Sequence, residues 1–393
     1  MIVSLTIVVI IAISILIPKH YLKRYYIISA VVLSSLYLFA DPTESDLSRL
    51  YGMADAIQNA SIEDIVLMRK GDYGNYLLNL YMTRYMIFNL YTKAVSVLPR
   101  NFFVFLPALM IYLIPLIIIF DDIHTRYCKK WVYVVSYSAF LLCIDYLSIS
   151  AIRNISVAML FFFILVNYDL NGRWKKLYCF IGYLVLTLIH SYAVVLIMLR
   201  LLIVISNKYT KYILAILISL GYALLISGNS IVYWVFGQFD FLLNILERLV
   251  QYSSYTETTV EIKRSFMLML YILILFISFL SHLFTWKALD KNDRLLMTKL
   301  FDFLLFSTFF TLGAYAQYDL FIRGSLIIFP VWIMTVTIGM KAIGKQPFGV
   351  ISFNRKQYSL VNAFTYFCNY IICFLIFGYL IRVGYLWMDD WFF

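Results

Sequence analysis

An all-α polytopic membrane protein with about 12 transmembrane helices is the fold the sequence predicts, on three observations. Of 393 residues, 63% are hydrophobic and 13% charged, with mean hydropathy +0.86. A soluble domain has roughly 45–50% apolar and about 25% charged residues. Apolar runs recur along the whole chain, several long enough for a hydrocarbon core of about 30 Å. The loops between them alternate between basic and less basic, as the positive-inside rule requires.

The runs predict helices at about 2–17, 25–40, 102–120, 131–147, 152–168, 177–190, 191–206, 212–227, 265–286, 299–316, 322–341 and 361–383. The first run has no basic segment before it and no small-residue cleavage site after it, so it reads as a retained helix. With Lys19, Lys23 and Arg24 on the cytoplasmic side, 19 of the 32 basic residues fall in inner loops. Both termini then lie outside. A single helix over 177–206 would be about 45 Å long, too long without strong tilt. It would also move Lys208 and Lys211 outward, so a break is expected at His190-Ser191. No repeat or linker divides the chain, and 1–393 reads as one integral membrane domain.

Two outer loops are long, about 41–101 and 228–264. On a helical wheel of 75–93, Asn75, Asn79, Thr83, Asn89 and Lys93 form one stripe, with Leu77, Leu80, Phe88 and Tyr91 opposite. That pattern predicts an interfacial amphipathic helix, with Arg84 on its apolar face. The second loop carries a Tyr/Ser/Thr-rich patch from Tyr252 to Thr259.

Several chemistries are excluded. The five cysteines are scattered without a CxxC, so neither a disulfide framework nor a thiol-metal site is expected. Walker A, GxGxxG and HExxH patterns are absent. No metal and no cofactor are expected. The net charge of +11 follows membrane alternation and does not imply nucleic acid.

Some cations break the alternation. Arg49, Arg84, Arg153 and Arg323 fall on or near the outer face, where a cation beside hydrocarbon is a functional-site hypothesis. Arg153, in Ser150-Ala151-Ile152-Arg153-Asn154, offers a planar fork for phosphate oxygens; its bland reading is a snorkelling helix-end Arg. His190 is the one histidine near the outer face, either a general base or a hydrogen-bond partner for sugar or phosphate. The alternative is a structural contact at a helix break. Asp319 and Arg323 are four apart and either pair along a helix or serve a ligand. Asp46 is a candidate base beside Arg49, or else a helix cap. Together these residues point to an outward-facing site for an anionic, lipid-linked substrate.

The order of these segments resembles a family. An acidic-Arg stretch in the first outer loop is followed by Asp72-Tyr73-Gly74-Asn75-Tyr76-Leu77-Leu78-Asn79. Then come Ala151-Ile152-Arg153-Asn154 and Leu188-Ile189-His190-Ser191, and late in the chain Arg323. This looks like the Wzy/EpsG-type polymerases of oligosaccharide repeat units, over roughly 40–340. Members often show Gly-Ile-Arg-Gln where this chain has Ala151-Ile152-Arg153-Asn154, and a small residue where it has Tyr192.

The resemblance implies a metal-independent glycosyltransferase of the bacterial cytoplasmic membrane. A growing glycan on undecaprenyl pyrophosphate would move onto a fresh lipid-linked repeat unit at the outer face. Arg153 and Arg323, with Arg49 or Arg84, would stabilise the pyrophosphate leaving group. His190 or Asp46 would serve the acceptor hydroxyl. Membrane lipid, a flippase and a chain-length regulator are the implied partners. Two other readings stand beside it. An O-antigen ligase would share the cationic site but carry a larger second loop with histidine. A flippase would carry cations along a path open to both faces.

Overall fold

The computed structural model describes residues 2–39, 46–120, 129–143, 151–170, 172, 175–207, 209–226, 258–285, 289–344, 367–373 and 375–378. Among them there are helices and turns and no strand. The helices are α1 (Ile2–Leu16), α2 (Lys19–Leu36), α3 (Asp46–Ala56), α4 (Ile62–Val66), α5 (Tyr76–Met82), α6 (Met86–Val95), α7 (Phe102–Ile119) and α8 (Lys130–Cys143). They continue as α9 (Ile152–Ile164), α10 (Lys176–Thr187), α11 (Tyr192–Ile205), α12 (Thr210–Ile226), α13 (Thr258–Thr285), α14 (Lys291–Gly313), α15 (Tyr318–Arg323) and α16 (Ser325–Gly344). A last helical stretch follows 366.

Six helical segments are long and apolar enough to cross a membrane: Lys19–Phe39, Phe102–Ile119, Ile152–Asp169, Arg264–Leu283, Lys291–Gly313 and Leu320–Met340. Large apolar side chains point outward on several helices, such as Ile27, Ile28, Val31 and Val32 on α2. Hydroxyl residues turn inward: Ser29, Ser34, Thr335 and Thr337 are buried, and each bonds a carbonyl four residues back. Apolar outside and hydroxyls inside is the arrangement a lipid solvent favours. The chain is thus an all-helical, multi-pass membrane protein.

It divides into two compact units: Met1–Ile197 with Cys373–Phe393, and Met198–Ile372. In the first unit the core is aromatic. Tyr26 and Tyr137 have ring centroids 4.4 Å apart, and the Tyr37 and Tyr112 hydroxyls are 3.3 Å apart. The segment 46–101 is folded: α3, α4 and α6 pack together, α5 packs on α3, and α6 rests on α7. One contact explains that docking. Pro107 has no N–H, so the carbonyl of Phe103, four residues earlier in α7, loses its helical donor. The Tyr91 hydroxyl of α6 donates to that carbonyl.

In the second unit α12, α13, α14 and α16 form the bundle. Gly313 lets α14 approach α12 so closely that a Cβ would lie 2.5 Å from the Ser219 carbonyl oxygen. Lys211 and Asp302 pair at 2.6 Å, with side chains only 11% and 15% exposed. His282 stacks on Phe301 beside them, with centroids 5.2 Å apart.

Several boundaries differ from expectation. Helix α14 starts eight residues early, because the Asp290 side chain caps it by accepting from the Asp293 N–H at 2.8 Å. The run 322–341 begins inside the short α15, turns at Gly324 and continues as α16. The helix expected over 75–93 is two helices, broken at Thr83–Tyr85. Its polar stripe is not a solvated face but a seam of hydrogen bonds. Asn75 caps α5 by accepting from Leu78 N–H at 3.1 Å, and Asn79 accepts from Tyr73 N–H at 2.9 Å. Lys93 donates to the carbonyls of Ile57 and Gln58 at 3.2 and 2.8 Å. The expected second loop, 228–264, lies outside the described residues up to 257, and its last seven residues belong to α13, which begins at Thr258.

Candidate functional site

Arg153 is the second residue of α9, whose cap residue Ala151 makes no side-chain hydrogen bond to the helix. A cation in the first turn meets the positive end of the helix dipole, which costs a few tenths to about 1 kcal/mol. The same position joins guanidinium and helix N–H groups into one region of positive potential, favourable to an anion.

Aromatic rings hold the guanidinium there. Its central carbon lies 4.0 Å from the centroid of Tyr81, 5.3 Å from Tyr85 and 5.4 Å from Phe88. Nη2 donates to the Tyr81 hydroxyl at 2.7 Å. The three rings come from α5, α6 and the turn between them. Spacings of four and three residues bring them to one side of the chain.

His190 belongs to the same cluster. It lies in the break between α10 and α11, so the expected interruption at His190-Ser191 is present. Its ring stacks on Tyr85, with centroids 5.4 Å apart and planes 23° from parallel. Tyr85 and Ser191 hydroxyls are 3.5 Å apart. The Ile87 N–H donates to the Leu188 carbonyl at 3.2 Å, which ties the α6 start to the break.

The Tyr192 N–H donates to His190 Nδ1 at 3.2 Å. An imidazole nitrogen that accepts carries no proton, so the neutral ring is protonated at Nε2. In that tautomer Nε2 is a donor, suited to an oxyanion.

Asn89 braces the cluster from below. It is fully buried, and its Nδ2 donates to the Tyr81 carbonyl at 3.0 Å. That carbonyl also accepts from the Arg84 and Tyr85 N–H groups at 2.9 and 3.1 Å, closing the turn between α5 and α6.

The remaining candidates are placed as follows. Arg84 sits in the turn after α5 and is exposed, because the helix that would have carried it on an apolar face ends at Met82. Arg49 is exposed on α3, one turn before Gly52, whose Cβ position is 3.5 Å from Asn75 Nδ2. Asp46 is the first residue of α3, and its side chain lies outside the described residues. Arg323 ends α15 in the second unit, half-buried; the Asp319 side chain lies outside the described residues. Arg153 and His190 are thus brought together in the first unit. Tyr81 and Tyr85, which join them, were not singled out from the sequence. Among the described residues no group of His, Cys, Asp and Glu could hold a metal ion.

The fold and the cluster define a helical membrane protein with an arginine-centred polar site at a helix N-terminus. No protein-family model, curated protein or solved structure matches the chain.

Proposed function

We propose that this protein is a polysaccharide polymerase of the Wzy/EpsG type. It transfers a growing glycan from undecaprenyl pyrophosphate onto a new lipid-linked repeat unit at the outer face of the bacterial cytoplasmic membrane. The observation that carries the reading is the gathering of Arg153 and His190 around one ring, Tyr85, at the start of α9. The six long spans and six shorter apolar helices are read as twelve crossings, with both termini outside.

The chemistry follows from the leaving group. The glycosidic C–O bond to lipid pyrophosphate breaks as the acceptor hydroxyl attacks, and the diphosphate leaves with the bonding electrons. It carries its charge without protonation, so cations and N–H donors suffice. Arg153 supplies a planar fork, the α9 N-terminus its N–H groups, and His190 a hydrogen from Nε2. Arg49 and Arg84 are assigned to further phosphate and glycan contacts; the substrate-binding role that the resemblance implies for Arg323 and Asp319 belongs to the second unit. Asp46 is assigned to take the acceptor proton.

The test uses full-length protein in lipid with a defined undecaprenyl-pyrophosphate repeat unit and no nucleotide sugar. A ladder of longer glycans is expected. Translocation without growth would identify a flippase, and transfer only to a lipid A core would identify a ligase. Either result overturns the polymerase reading.

A further inference from the structure

The same cluster contains a second layer, and the inference drawn from it rests on the phosphate-site reading above. We infer that Tyr81 is a positioning residue for Arg153: it fixes which edge of the guanidinium faces the diphosphate.

An arginine side chain has several rotatable bonds, and holding it still for a ligand costs free energy at every binding event. Tyr81 removes that cost in advance through two contacts. Its ring lies under the guanidinium carbon at 4.0 Å, which sets the plane. Its hydroxyl oxygen accepts from Nη2 at 2.7 Å, which sets the rotation within that plane. One edge of the fork is thereby committed to tyrosine, and the other N–H directions are fixed relative to α9.

Tyr81 is itself held. Its carbonyl is the common acceptor for Arg84, Tyr85 and Asn89 at the end of α5. Its ring meets Tyr85 edge-on, with centroids 5.3 Å apart. Because Tyr85 also stacks on His190, one aromatic pair relates both donors to each other. A ring that served only packing would not need its hydroxyl placed on Nη2.

The test is binding of inorganic pyrophosphate to the full-length protein in lipid nanodiscs, by titration calorimetry. The variants are Tyr81→Phe, Arg153→Lys and the two combined, each with its thermal midpoint. Tyr81→Phe keeps the ring and loses the hydroxyl. It should weaken pyrophosphate about three- to tenfold, the scale of one side chain's ordering cost, with an unchanged midpoint. In the Arg153→Lys background, where no fork remains to orient, Tyr81→Phe should cause no further loss. Equal affinity of Tyr81→Phe and wild type overturns the positioning role while leaving the phosphate site standing. An equal loss in both backgrounds also overturns it, since Tyr81 would then act without Arg153. Failure of the wild type to bind pyrophosphate removes the phosphate site itself, and the inference with it.

Discussion

Tyr85 and His190 stack face to face although they come from distant parts of the chain, and the Tyr192 N–H holds the imidazole Nδ1 from the other end. This contact fixes the tautomer and separates two roles for the histidine. A Gln side chain can place an N–H near the Nε2 position, whereas Asn reaches only as far as Nδ1. His190→Gln should therefore keep a substantial part of the glycan elongation rate, and His190→Asn should lose about a hundredfold, the lower end for one preorganised donor. A general base would give the opposite sense for Gln, which cannot take a proton. Equal inactivity of both variants would sink the donor assignment.

Arg153→Ala should abolish glycan laddering, with a fall of about 10²–10³ in rate for loss of one electrostatic stabiliser. Membrane insertion should be unchanged, and the thermal midpoint should shift little, because the lost ring contacts are offset by relief of the cation from the positive end of the α9 dipole. Arg153→Lys should recover only part of the rate, since an ammonium cannot reproduce the planar fork. Normal ladders from Arg153→Ala would remove this residue from the mechanism.

Tyr91→Phe should leave the Phe103 carbonyl without its donor at Pro107. The expected cost is about 1–3 kcal/mol, that of a buried unsatisfied acceptor, read from chemical denaturation. Pro107→Ala restores a helical N–H for the same carbonyl. Combining it with Tyr91→Phe should regain much of the loss. Simple additivity of the two losses would argue against this account.

Lys211 and Asp302 pair inside the second unit. Lys211→Met alone strands a carboxylate and should destabilise by about 3–5 kcal/mol. Lys211→Met with Asp302→Leu removes both charges and should recover most of it. If the double variant is as unstable as the single, the pair is not the source.

Asp72 accepts from the Gly74 N–H at 3.1 Å and from Asn79 Nδ2 at 3.3 Å. The Gly74 N–H, then the Asn79 amide, hold its pKa below the ordinary 3.8. A depressed folded pKa means the contribution is complete above 3.8 and is lost as pH falls below it. Hydrogen-exchange protection of the Gly74 amide should be flat across neutral and mildly acidic pH and decline only below the ordinary carboxylate pKa of 3.8. Protection already half lost above pH 3.8 would contradict this.

The spans were legible because lipid demands long apolar runs, and a helix is the only open structure that satisfies its own backbone there. Helix starts were less legible. The charged turn opening α14 looks like loop until Asp290 is recognised as its cap. The break after Met82 was hidden because the asparagine spacing fits an amphipathic wheel while each asparagine bonds nearby backbone or side-chain groups. Arg153 and His190 stood out as local exceptions to charge and composition. Tyr81 and Tyr85 did not, since two tyrosines among 33 carry no contrast. Only their relation to α9 and to the α10–α11 break distinguishes them.

The bond from Tyr91 to the Phe103 carbonyl has a consequence for biogenesis. In an extended chain every carbonyl is open, so nothing singles out that of Phe103. Once the span winds, Pro107 leaves this oxygen vacant, as Pro115 does for the carbonyl of Ile111 two turns on. The docking mark is thus created by insertion itself.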